Sequence, residues 1–205
     1  MEPVPDGAPG GRTIDDPPTP GVDLYWIPLG ADTSVVRGSG RVFEAVGAWW
    51  HRRDRSDLFH AALIVRVAEG RYVIEQAPVP DAHGERRGVV AGGPVGLAWL
   101  GRWRLFRYEV RRWLGGRIPD LHAAVGGPVR VSDDPTVARA VLDVLPGVPT
   151  PVWGRDELRA GEMWNSNAVV AWTLVRAGVA IESVAVPVGG RAPGWRAGIV
   201  VARRG

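Results

Sequence analysis

Cysteine is absent from the 205 residues, which removes disulfides, thiolate zinc sites and cysteine nucleophiles. Lysine is absent as well, since all 25 basic residues are arginine. A P-loop needs the lysine of GxxxxGK[ST], so the glycine-rich Gly92–Gly96 stretch is not one. No GxSxG elbow occurs. No run approaches the roughly 18 consecutive apolar residues of a membrane span. The first residues, MEPVPDGAPGGRTIDDPPTPG, are acidic and rich in Pro and Gly. They lack the basic start and apolar run of a secretory signal, and the expected compartment is the cytoplasm. The four histidines, His51, His60, His83 and His122, show no paired ligand spacing. Asp133-Asp134 and Asp156-Glu157 read as helix-start acids rather than ligands. No metal and no cofactor are therefore expected. The net charge of only +3 argues against nucleic acid as a partner.

What is present is ordinary for a globular domain: 45% hydrophobic and 23% charged residues, enough for one real core. Residues 1–20 have no apolar periodicity and are expected to be a disordered tail, with a single α+β domain over 21–205. The scarce amides are informative. The two asparagines of the chain, Asn165 and Asn167, flank Ser166, and the single glutamine, Gln76, follows Glu75. Their placement indicates a local demand for specific hydrogen bonds, against the alternative of chance clustering in a biased composition.

The run VDLYWIPLG from Val22 is strand-like. A helix is expected from about 40 to 53, with Val42, Val46 and Trp49 or Trp50 at helical spacing. DLFHAALIVRV predicts a strand, Glu69-Gly70 a turn, and RYVIEQAP the returning strand. GVVAGGPVGLAWLG reads as a loop feeding a strand over WRLFRYEVRRW. PVRVS predicts a short strand, and SDDPTVARAVLDVLPG a helix with Asp at its cap and Pro at its start. NSNAVVAWTLVRAG predicts a second helix ending at Gly178, and the C-terminal tail is expected to end in a short strand.

The helix after Ser166 is apolar on nearly every face and should be central and buried. Ser or Asn at its start is a normal capping choice, yet a helix N-terminus also offers backbone donors to an anion or oxyanion. His60 shares a strand face with Leu58, Ala62 and Ile64. It reads either as a core histidine or as a base, with Ala61 and Ala62 leaving room and Glu75 as orienting partner. A hairpin closed at Glu69-Gly70 puts Glu75 on the face of His60 but opposite Ile64, on the order of 13 Å away along the strand. Direct contact then needs a bulge or a shifted register.

This order, a hairpin bearing His and a polar partner followed far downstream by a nucleophile opening a buried helix, resembles the permuted NlpC-type papain-like superfamily. That group includes lecithin-retinol acyltransferase-like and bacterial amidase-like proteins. Tyr72-Val73-Ile74-Glu75-Gln76-Ala77-Pro78 is similar to the family's YVVHLAP, which places Glu75 on the third catalytic position. Asn165-Ser166 corresponds to its Asn-Cys pair, and Gly21-Val22-Asp23-Leu24 to its opening Gly-Asp-Leu strand. The resemblance covers roughly residues 21–180 and is similar to an actinobacterial branch with Ser at the Cys position. It implies a permuted papain-like fold, an antiparallel sheet packed on a buried central helix. It further implies acyl transfer or amide, ester or thioester hydrolysis with Ser166 as nucleophile, His60 as base and Glu75 as orienter. Asn165, Asn167, Gln76 and Trp164 would position the loop or a small acyl or peptide-like ligand.

Serine in place of cysteine departs from the family. A hydroxyl is not ionised by a helix terminus as a thiol is, and must lose its proton to the base during attack. The same change suits a catalytically silent binding module, a pseudoenzyme. A third reading comes from WLGRWRLFRYEVRRW, whose interleaved Arg and aromatic residues suit a polyanion or a membrane surface, against a solvated strand face with aromatic core anchors.

Overall fold

The computed structural model describes residues 19–28, 57–78, 88–118 and 121–205. The helix expected near 40–53 lies outside the described residues, as does the expected tail apart from Thr19 and Pro20.

The apolar runs form strands β1 (Gly21–Pro28), β2 (Asp57–Val67), β3 (Gly70–Pro78), β4 (Val89–Pro94), β5 (Arg107–Leu114), β6 (Val129–Ser132) and the short β7 (Gly190–Arg191). Their lateral order is β4-β5-β3-β2-β1-β6, with every neighbouring pair antiparallel. β7 pairs parallel with the start of β2. The α-helices among the described residues are α1 (Pro135–Val144), α2 (Ser166–Arg176) and α3 (Trp195–Ala202). The fold is mixed α+β, a largely antiparallel sheet with a buried helix against it.

β2 is apolar along its length because both faces are covered. Phe59, Ala61, Leu63, Val65 and Val67 belong to the main core with α2 and Ile74. Ala62 and Ile64 pack on the opposite face with Tyr25, Ile27, Val73 and Ile118. α2 is buried from Ser166 through Leu174, and its one hydroxyl in that stretch beyond Ser166, on Thr173, donates to Val169 O at 2.8 Å. Each large apolar side chain so enclosed contributes about 1.5–3 kcal/mol. α1 starts as expected, with the Asp134 side chain accepting from Thr136 N at 2.7 Å, and α2 ends before Gly178, whose φ of 84° is left-handed.

Four elements depart from expectation. The β2–β3 hairpin turns on Ala68-Glu69, with Val67 opposite Gly70 and Leu63 opposite Ile74, so the expected register is off by one pair of residues. The GVVAGG stretch is strand β4 and not a loop. Its glycines allow close approach, because a Cβ at Gly93 would sit 2.6 Å from the Tyr108 hydroxyl. Of the Arg/aromatic stretch only Arg107–Leu114 is strand, and residues 98–106 form two 3-10 turns, Ala98–Arg102 and Arg104–Phe106. Finally, the C-terminal segment is helix α3 rather than a strand. Its Ile-Val-Val run favours β structure locally, but tertiary packing overrides it. Gly198 lies so close to α2 that an added Cβ would be 2.2 Å from Ala168 O.

Candidate active site

α2 begins where β2 runs beyond its pairing with β3, which ends at Leu63–Ile74. On one edge of an antiparallel strand the N–H and C=O groups of alternate residues point the same way and need partners. Asn167 supplies them. Its Oδ1 accepts from Ala61 N at 2.7 Å, and its Nδ2 donates to Phe59 O and to Pro193 O at 2.9 Å. The helix start is thereby fastened to the backbone on both sides of His60.

Asn165 is the N-cap of α2. It has extended backbone, and its Oδ1 accepts from Ala168 N at 3.2 Å. Its Nδ2 donates to Pro193 O at 2.9 Å, so both asparagine amides converge on that carbonyl. Gly194, next in the chain, is left-handed with φ 84°, and a Cβ there would lie 2.8 Å from the Asn165 Cγ. Because asparagine does the capping, the Ser166 hydroxyl at the first helical position is released for another partner. That partner is His60: Nδ1 and Oγ are 3.1 Å apart. With the ring proton on Nε2, the hydroxyl donates to Nδ1, the tautomer that proton abstraction requires.

Ser166 is 9% exposed and His60 is half-buried. Burial strips hydration from the imidazolium and lowers the His60 pKa from 6.5 to about 4. The ring is therefore neutral at pH 7 and able to accept a proton. The backbone N–H groups of Ser166 and Asn167 fall in the first turn, where no intrahelical acceptor exists. They form the positive end of the α2 dipole, toward which an oxyanion would be drawn.

Glu75 sits directly across from Arg111 on β5, with Oε1 3.6 Å from Arg111 Nη1. Arg111, only 4% exposed, also donates to Glu109 Oε2 through Nε at 3.1 Å and Nη2 at 3.0 Å. The carboxylate expected to orient His60 is thus engaged by a buried guanidinium, and desolvation, not a nearby carboxylate, is the cause of the His60 shift. Gln76 is buried, and neither its Oε1 nor its Nε2 has a hydrogen-bond partner among the described residues. It lies in β3 beyond the last β2–β3 pair, across from Val110 of β5. Trp164 is buried in the core with its Nε1 also unpartnered there. Pro193 and Gly194, which hold the cap, were missed from sequence. Among the described residues no group of three or more His, Asp or Glu side chains converges as a metal site would. No helix among them is long and apolar enough to cross a membrane.

No protein-family model, no curated protein and no solved structure matches this chain. The site rests on its own geometry.

Proposed function

We propose that this chain is a permuted papain-like protein of NlpC type that carries out acyl transfer, or hydrolysis of an amide, ester or thioester. The reading rests on one observation, the 3.1 Å approach of Ser166 Oγ to His60 Nδ1 at the start of a buried helix. In the first step the Ser166 hydroxyl proton passes to Nδ1 as Oγ bonds to the acyl carbon. The carbonyl oxygen gains charge, which the first-turn N–H groups of α2 stabilise. His60 then returns the proton to the departing nitrogen, oxygen or sulfur as that bond breaks. Water or an acceptor nucleophile takes the acyl group in the second half. Asn167 and Asn165 position the pair through the backbone. Gln76 offers a buried donor and acceptor with no partner among the described residues, suited to the amide of a small acyl or peptide-like ligand, because leaving such a group unsatisfied costs about 1–3 kcal/mol.

A second reading, a silent module of the same fold that binds such a ligand, is favoured by the same histidine. A ring with a pKa of about 4 is a weak base, and Glu75 is engaged by Arg111. Labelling with a fluorophosphonate probe, read by intact mass, separates the two. Catalytic competence requires one adduct at Ser166, lost in Ser166→Ala and slowed about 100-fold or more in His60→Ala. A folded protein that takes no label is the binding module.

A further inference from the structure

The segment that joins β4 to β5 presents several large apolar side chains to solvent. Trp99 is 56% exposed, Trp103 49%, Leu105 55% and Leu97 39%. The rings are ordered against one another: Trp99 and Trp103 meet edge-on with centroids 5.7 Å apart, and Trp103 and Phe106 at 6.5 Å. The Arg102 guanidinium lies over the Trp103 ring, 5.9 Å from its centroid. From Gly88 to Tyr108 the chain holds Arg102, Arg104 and Arg107 and no Asp or Glu. All three arginines are exposed. A cleft of about 210 Å³ opens beside the turns between Gly92, Gly93, Gly101 and Arg107. None of its lining residues belongs to the Ser166 site.

We infer that this patch docks the chain onto an anionic phospholipid bilayer. Trp99, Trp103, Leu97 and Leu105 enter the interface, and Arg102, Arg104 and Arg107 face the lipid phosphates. Tryptophan favours the headgroup level of a bilayer, where its ring is apolar on its faces and its N–H is wet. The all-arginine charge complements an anionic surface. Exposed Leu97 and Leu105 discriminate the partner: acyl chains accept aliphatic side chains, whereas stacked nucleobases call for aromatic and cationic ones. The inference stands on residues separate from Ser166 and His60 and holds whether or not they are catalytic.

The test is sedimentation of the full chain with vesicles of phosphatidylcholine containing roughly 30% phosphatidylserine, against phosphatidylcholine alone. Binding is expected to the anionic vesicles and to weaken as salt is raised. The double variant Arg102→Gln/Arg104→Gln should reduce partitioning roughly 30-fold. Trp99→Ala/Leu105→Ala should also reduce binding to the anionic vesicles. These positions are exposed, and circular dichroism confirms that each variant is folded. Absence of binding to anionic vesicles overturns the inference, as does binding unchanged in both double variants. A single-stranded oligonucleotide bound in place of vesicles, and lost in the arginine variant, assigns the patch to nucleic acid and also overturns it.

Discussion

The carboxamide of Asn167 straddles His60, accepting from the residue after it at 2.7 Å and donating to the residue before it at 2.9 Å. Because Ser166 adjoins Asn167 in the chain, this clamp ties the hydroxyl to the imidazole across 106 residues of sequence. The pair is held through an amide bonded to the β2 backbone.

Asn167→Ala strands the Ala61 N–H and the Phe59 carbonyl in a site where Asn167 is only 2% exposed. The expected loss of stability is about 2–4 kcal/mol, measured as a lower urea midpoint at unchanged slope. Probe labelling at Ser166 should fall further than the folded fraction does. A variant as stable as the parent would remove the clamp from the account.

The pH dependence follows from His60. Its neutral form persists down to about pH 4, so labelling of Ser166 should be level through mildly acidic pH and half-lost only near there. An acid limb at the ordinary histidine value of 6.5 would contradict the buried ring. Stability has the opposite reference. Below pH 6.5 the unfolded chain takes up a proton that the folded ring refuses until about 4. The contribution is complete above 6.5 and lost as pH falls toward 4, by at most about 3 kcal/mol and less for a half-buried ring. Thermal midpoints of the parent and His60→Ala, compared at pH 7 and pH 4.5, expose this difference.

Ser166→Cys introduces the one thiol of the chain. At a helix N-terminus beside His60 it should ionise below the usual 8.5. Iodoacetamide alkylation followed against pH reports the midpoint. A midpoint at or above 8.5 in the single variant would show that the site does not activate a nucleophile.

Glu75→Gln removes one of the acidic neighbours of buried Arg111 and leaves Glu109 in place. We expect destabilisation of about 1–2 kcal/mol, seen in denaturant melts, with Ser166 labelling within about three-fold of the parent. A loss of labelling of about 100-fold without loss of folding would restore Glu75 to the orienting role the family resemblance implies.

Gly198→Ala is expected to push α3 from α2, since the new methyl would meet Ala168 O at 2.2 Å. A cost of about 1–3 kcal/mol is the rule for such overpacking. A thermal midpoint equal to the parent's would show that the helices can slide apart freely.

Local pattern carried much of this molecule. The apolar run of β2, the Asp-Pro start of α1, and the all-round apolar face of α2 are each set by short-range chemistry: side-chain alternation, capping and the solvent exclusion of a featureless apolar cylinder. The rarity of Asn, confined to positions flanking Ser166, marked the helix start. The glycines of β4 signal a loop locally, whereas they serve the close approach of Tyr108. Ile199, Val200 and Val201 favour a strand, and only contact with α2 makes the segment helix α3.

The sequence by itself determined which side chains were available for chemistry: no thiol, no lysine, one serine between two asparagines, and a histidine in an apolar strand. The tertiary structure alone decided their roles. It gave the cap to Asn165 and so freed Ser166, set Glu75 against Arg111, and turned the tryptophans of residues 98–106 outward. Such choices depend on which backbone groups are left unpaired where α2 meets the edge of β2, and on which charge is buried across a strand. Those are properties of neighbours distant in the chain, and no local window contains them.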